Sequence, residues 1–163
     1  MENALSFGKS LIGTPYGWWG GGEIEHGHPM WAEDKPIPDR SDIISCSCVG
    51  LVNLILRYCN KQIPYNKTSK GGTDAYADYY KNVYEMVNIE KRYPIGTLLI
   101  RGYRDVEDQG HVAIIVEDKG NKSKLLQSFT FQEDNGVNMK YTFEESHDGY
   151  YYEYAVLPEN WIL

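Results

Sequence analysis

Hydrophobic residues recur at helical spacing in three segments of the chain. The first covers residues 2–12, where alanine, leucine, glycine and isoleucine share one face, and it ends before a Gly-Thr-Pro sequence. Residues 48–58 are apolar nearly all round, and this length together with Ser45 or Ser47 as an N-cap favours a buried helix over a strand. A third helix is predicted over about 73–87, where tyrosines and valines share a face.

After Pro94 the pattern changes to short apolar or alternating runs that are separated by polar turns. Such runs are typical of β-strands, and they predict strands over 97–101, 111–116, 125–129, 137–143 and 150–157. Helices followed by a meander of about five strands indicate an α+β fold with an antiparallel sheet. At 163 residues, we expect a single domain over 1–163.

Residues 23–45 lack any sustained period and are rich in proline, glycine, histidine and charge, which predicts a loop insertion. The insertion contains Glu25, His26 and His28, which are half of a zinc site at most. No third ligand follows at a regular spacing, so we expect a polar loop and no metal site.

Composition and charge exclude several functions. Hydrophobic residues make up 42% and charged residues 24%, as in ordinary globular proteins, while 16 basic against 23 acidic residues leave a net charge of −7. A nucleic-acid binder needs a basic surface, so no nucleic-acid partner is expected.

The chain contains no run of about 20 apolar residues, so no transmembrane segment is predicted. The amino terminus lacks the pattern of a secretion signal, so we expect a cytoplasmic protein or delivery by virus, phage or lysis. No pattern indicates an oligomeric state.

The three cysteines, Cys46, Cys48 and Cys59, form a poor disulfide framework because they are odd in number and close in sequence. Cys48 opens the predicted buried helix, and a helix amino terminus lowers the pKa of a thiol and offers amides to an oxyanion. Cys48 is therefore a candidate nucleophile. The alternatives are that Cys48 is a small buried hydrophobe and that Cys46 is the nucleophile; Cys59 is expected in the core.

A nucleophilic thiol needs a base, and His111 begins a predicted strand. The next strand holds Gln127 among apolar neighbours, so pairing of the two strands would allow a hydrogen bond between the glutamine and the imidazole. Each residue also has a simpler interpretation: His111 as a surface histidine at a turn, and Gln127 as a solvent-facing residue of a half-exposed strand.

In this order, these residues resemble the NlpC/P60 superfamily of papain-like cysteine peptidases and amidases. Residues 47–52 (SCVGLV) are similar to its Asp-Cys-Ser-Gly-Phe-Val helix start, and residues 13–21 (GTPYGWWGG) to its Tyr-x-Trp-Gly-Gly motif. Residues 94–99 (PIGTLL) resemble its Pro-Gly-Asp-Leu strand entry, and residues 111–115 (HVAII) its His-Val-Gly-Ile-Tyr strand. Gln127 falls where the third polar residue of the family belongs.

The resemblance implies a papain-like fold in which Cys48 is the nucleophile, His111 the base and Gln127 the residue that orients the imidazole, without a cofactor. The residues expected to shape the site and bind substrate are Tyr16, Trp18, Trp19 and Ser47. Ser47 and Val49 depart from the Asp and Ser that help bind the free amino end of the stem peptide in peptidoglycan-cleaving members.

The expected function is that of a cysteine hydrolase, which cleaves an amide bond in a peptide or peptidoglycan-like substrate through a thioester. The partner would be a peptide-like or amide-containing small substrate. A lipid or amide hydrolase or an acyltransferase of the same superfamily is an alternative, although the lecithin:retinol acyltransferase group places its His strand before its Cys helix. An inactive binding module is the other alternative, favoured by the departures at Ser47 and Val49.

Overall fold

A computed structural model describes residues 1–17, 21–22, 39–130 and 135–163. Within these ranges the chain forms four α-helices: α1 (Glu2–Ser10), α2 (Cys48–Tyr58), α3 (Thr73–Tyr79) and α4 (Phe143–Tyr150). The strands are β1 (Gly21–Gly22), β2 (Ser45–Cys46), β3 (Glu85–Met86), β4 (Leu98–Arg101), β5 (His111–Ile115), β6 (Leu125–Phe129), β7 (Gly136–Asn138) and β8 (Tyr154–Val156). The predicted α+β class with an antiparallel sheet is confirmed.

The main sheet has six strands in the order β3-β8-β4-β5-β6-β7, and every neighbouring pair is antiparallel. A separate two-stranded ribbon pairs β1 with β2 and leads directly into α2. The prediction of about five strands missed β3, a two-residue edge strand that pairs with β8.

Side chains of β5 and β6 alternate between two apolar layers, because successive residues of a strand point to opposite faces. Val112, Ile114 and Leu126 belong to the larger core cluster, which contains α1 and α2. Ala113 and Leu125 belong to a smaller cluster on the opposite face with side chains of α4 and β8. By this alternation His111 and Gln127 are on the smaller-cluster face, at the end of the sheet nearest the start of α2.

Helix α2 is the central element of the larger core, and ten of its residues are buried, from Cys48 to Arg57. Its N-cap is Ser47, whose backbone is extended and whose side-chain oxygen accepts the Gly50 N–H at 3.1 Å. Of the two serines proposed from the sequence, Ser47 is therefore the cap. The buried Asn53 side chain is bonded on both sides, because it donates to the Gly71 carbonyl and accepts from the Tyr76 hydroxyl of α3.

Replacement of Ser47 by alanine is expected to lower the free energy of unfolding by about 1 kcal/mol, because the Gly50 N–H then loses its acceptor at a buried helix start. Urea unfolding followed by circular dichroism measures this change. Ser47→Thr keeps a hydroxyl at the cap and is the matched control. An alanine variant as stable as the threonine variant would contradict the capping role.

The predicted helix over 73–87 is too long. Helix α3 ends at Tyr79, and residues 85–86 instead form β3 against β8. Tyr76 and Tyr80 are buried as predicted from their shared face, but Val83 is 45% exposed. The segment leaves the helix because β8, a strand far along the sequence, provides backbone partners for it.

The strands predicted over 137–143 and 150–157 are largely wrong. Strand β7 ends at Asn138, and Phe143 begins α4, whose N-cap Thr142 forms a capping box with Glu145. The helix runs through the first tyrosine of the aromatic run, and β8 starts only at Tyr154. A capping box satisfies two backbone donors reciprocally, and this local bonding outweighs the β-propensity of the aromatic residues.

The predicted insertion is structured at its end, where Arg40–Asp42 form one turn of 3-10 helix and Ser45–Cys46 form β2. Residues 23–38, with His26 and His28, lie outside the described residues.

Candidate active site

Cys48 is the first residue of α2, and its side chain is buried except for the fraction that lines a small depression. The backbone N–H groups of Val112, Val49 and Cys48 itself face the sulfur and favour its thiolate form. Burial has the larger effect, and it raises the pKa of the thiol to about 11. The expectation of a lowered pKa is therefore wrong, because loss of hydration outweighs the helix start.

His111 and Gln127 are joined by a hydrogen bond of 2.7 Å between Nε2 and Oε1. Both side chains are buried, and they lie on the paired strands β5 and β6 as predicted from the sequence. Because the glutamine presents its oxygen, the imidazole donates from Nε2, and Nδ1 is left as the unprotonated nitrogen. Burial lowers the pKa of His111 to about 4, with partial opposition from the Gln127 hydrogen bond.

The start of β5 lies close to both the thiol and the imidazole. Val112, whose N–H faces the Cys48 sulfur, directly follows His111 in the chain. Tyr150 also lies near both groups, because its ring stacks on His111, and burial first and then the charge of a Cys48 thiolate would raise the pKa of its hydroxyl. At neutral pH both the thiol and the imidazole are uncharged, because their pKa values are about 11 and about 4.

Two tyrosines from the end of α4 complete the surroundings of the imidazole. The Tyr150 ring stacks on His111, with ring centroids 3.8 Å apart and planes within 9°. The Tyr152 ring is further away, with its centroid 6.1 Å from that of His111. Its hydroxyl oxygen is 2.7 Å from Ser146 Oγ and 3.4 Å from Gln127 Oε1. These two tyrosines are not among the residues predicted from the sequence, although Thr142 and Glu145 carry a capping-box signal for the helix that positions them.

Tyr16 is half-buried beside the depression, and its backbone N–H donates to Asn135 Oδ1 at 3.1 Å. Burial first, and then the charge that Cys48 would carry as a thiolate, raises the pKa of its hydroxyl. The same two causes raise the pKa of Tyr150 to about 12. Both phenols therefore remain protonated, and their O–H groups are donors close to the thiol.

The depression at Cys48 has a cavity volume of about 70 Å³. Ligand pockets for whole small molecules are larger, at roughly 300–1,000 Å³, so the depression has room only for a small chemical group. Its described lining residues are Tyr16, Ser47, Cys48, Val49, Thr73, Gln109 and Gly110.

The loop before His111 is held in place by a side-chain hydrogen bond and by the backbone conformation of a glycine. Thr73 Oγ1 donates to the Gln109 carbonyl at 2.5 Å, which ties the start of α3 to this loop. Gly110 has a φ of +87°, and a Cβ there would stand 2.3 Å from the Arg101 carbonyl oxygen. Glycine is therefore required directly before His111.

Of the site residues predicted from the sequence, Cys48, Ser47 and Tyr16 line the depression, and His111 is bonded to Gln127 beside it. Trp18 and Trp19 lie outside the described residues. Cys46, the competing nucleophile, is fully buried in β2, where its carbonyl accepts from Ser128 Oγ at 2.8 Å.

A scan of protein-family models finds no match to this chain, and searches of curated proteins and of solved structures also find none.

Among the described residues, no group of three or more His, Cys, Asp and Glu side chains is placed to hold a metal ion. Within the same ranges, every helix is too short or too polar to cross a membrane.

Proposed function

We propose that the protein is a cysteine hydrolase with a papain-like fold, which cleaves an amide bond in a peptide or peptidoglycan-like substrate through a thioester. The observation that carries this proposal is the hydrogen bond from His111 to Gln127 at the start of β5, next to the Val112 N–H that faces the Cys48 sulfur. A nucleophile, a base and a group that orients the base are the components of nucleophilic acyl transfer.

In the proposed reaction, His111 Nδ1 takes the proton of Cys48 as the sulfur attacks the carbonyl carbon. The carbonyl oxygen becomes an oxyanion, and in this proposal the amides at the start of α2 and the Tyr16 hydroxyl stabilise it. The imidazolium then protonates the amine, the C–N bond breaks and a thioester remains. Water, deprotonated by His111, attacks the thioester, releases the acid and restores the thiol.

The absence of a preformed ion pair suits this role for His111. A buried thiol with a pKa of about 11 needs a base in contact with it during attack. The imidazole can act as this base at all pH values around 7, because its pKa of about 4 keeps it uncharged there. Gln127 holds the ring without adding a charge, so the imidazolium that forms during attack is short-lived and returns its proton readily.

The neighbours of the thiol favour a neutral region of substrate over a free amino end. The Ser47 oxygen is engaged as the helix cap, and Val49 is apolar, so neither supplies a carboxylate for an ammonium group. An internal amide bond of a peptide fits these surroundings better than the free amino end of a peptidoglycan stem peptide.

The direct test is a covalent adduct on Cys48. We expect 4-nitrophenyl acetate at neutral pH to acetylate Cys48 with release of 4-nitrophenolate, and acid quenching followed by mass spectrometry of the intact chain and its peptides locates the acetyl group. The Cys59→Ala variant is the matched control and should be acetylated like the original chain, while Cys48→Ala should not. Acetylation of Cys59 at the same rate as Cys48, or no adduct at all, would instead indicate an inactive binding module.

A further inference from the structure

A second cavity lies beyond Gln127, between β6 and α4, and has a volume of about 260 Å³. Its walls include the aromatic rings of Phe129, Tyr141 and Tyr150. The cavity is open beside Gly149, because a Cβ built on this residue meets no other atom within 4 Å. We call this space the β6–α4 cavity.

The β6–α4 cavity shares two residues with the surroundings of His111. Both Gln127 and Tyr150 line the cavity; Gln127 accepts the His111 Nε2 hydrogen bond, and Tyr150 stacks on the imidazole. A group in the cavity is therefore separated from the imidazole by one side chain. The residues that line the depression at Cys48 include neither Gln127 nor Tyr150.

Two polar groups that line the β6–α4 cavity, those of Ser146 and Glu145, are bonded within the protein. Ser146 Oγ is paired with the Tyr152 hydroxyl at 2.7 Å. The Glu145 carboxylate accepts from both the N–H and the hydroxyl of Thr142, and these contacts hold the pKa of Glu145 below its usual range. An ionised carboxylate at the rim disfavours an anion, and the aromatic walls favour an apolar group.

The position of the cavity identifies which half of the substrate it would hold. In the proposed hydrolysis the sulfur bonds to the acyl carbon, and the imidazole protonates the amine that leaves, so the amine half must lie over His111. We infer that the β6–α4 cavity binds an uncharged apolar side chain on the amine half of the scissile amide, such as an aromatic or aliphatic amino-acid side chain. This inference rests on the proposed function and narrows its substrate class.

The reverse of the amine-release step tests the inference. The acetylated protein, formed from 4-nitrophenyl acetate, is offered phenylalaninamide or glycinamide. The amine nitrogen attacks the thioester carbon, a C–N bond forms as the C–S bond breaks, and the amine proton passes through His111 to the sulfur. Chromatography of the two N-acetyl amides gives their rates of formation against hydrolysis. We expect phenylalaninamide to be acetylated about tenfold to a hundredfold faster than glycinamide, because its ring is removed from water in the cavity.

Two variants of α4 show whether this preference arises in the cavity. Gly149→Phe places a ring in the open side and is expected to reduce the ratio of the two rates to about one, while its helix is retained because phenylalanine is a better helix former than glycine. Asp148→Phe adds the same ring at the preceding residue, which does not line the cavity, and should keep the original ratio.

The outcomes separate the inference from the proposed function. A chain that is acetylated on Cys48 but acylates both amines equally, or a Gly149→Phe variant with the original ratio, would overturn the subsite and leave the hydrolase proposal standing. A chain that is never acetylated on Cys48 would overturn both.

Discussion

Replacement of His111 by alanine is expected to slow acetylation of Cys48 by 4-nitrophenyl acetate between about a hundredfold and ten-thousandfold at pH 7, the range that a positioned general base contributes. The physical reason is the buried thiol. With a pKa of about 11, only about one thiol in 10⁴ is ionised at pH 7 without a base. Stopped-flow measurement of 4-nitrophenolate release gives the rate directly.

The pH dependence of the same reaction provides a second readout. In the original chain His111 is neutral above its pKa of about 4, so the rate should be nearly constant from pH 6 to 8. In His111→Ala the rate should rise about tenfold per pH unit toward the thiol pKa, because only the thiolate reacts. His147→Gln changes a described histidine of α4 and should keep the original profile. A His111→Ala variant that reacts within tenfold of the original chain would show that His111 is not the base.

The sequence predicts the central part of this site because its elements are local. Helix α2 begins and ends where the apolar run does, since that run is buried on all sides and Ser47 caps it. Strands β5 and β6 are short apolar runs between turns, and their antiparallel pairing brings His111 to Gln127. Each of these features depends on neighbours in sequence or on a single strand pairing.

The remaining features depend on contacts that no local pattern specifies. Tyr150 and Tyr152 reach the imidazole only because α4 packs against β6, and their β-favouring sequence obscured that helix. The thiol pKa is the clearest case. A helix amino terminus predicts a lowered pKa, whereas the burial of Cys48 beside the start of β5, which raises the pKa, follows from the complete fold.

The low pKa of His111 is expected to reduce the free energy of unfolding in mild acid by about 3 kcal/mol. Burial lowers the pKa of this histidine from 6.5 to about 4, so between these values the unfolded chain binds a proton that the folded chain does not. The free energy of unfolding therefore falls as the pH decreases from about 6.5 to about 4, and the loss stops below that range. Urea unfolding at a series of pH values from 3.5 to 8, followed by circular dichroism, measures this dependence.

The matched variant is His111→Gln, because glutamine does not titrate and keeps an amide donor for Gln127. Carboxylates whose pKa values are held low, such as those of Asp74 and Asp108, also destabilise the fold in acid, but they are present in both proteins and cancel in the difference. The difference between the two stability curves should therefore change by about 3 kcal/mol between pH 6.5 and 4 and be constant above pH 7. Parallel curves would mean that the folded chain protonates His111 as readily as the unfolded chain does. His111 would then be partly protonated in mild acid in the folded protein, and the acetylation rate would begin to fall near pH 6.5 instead of near pH 4.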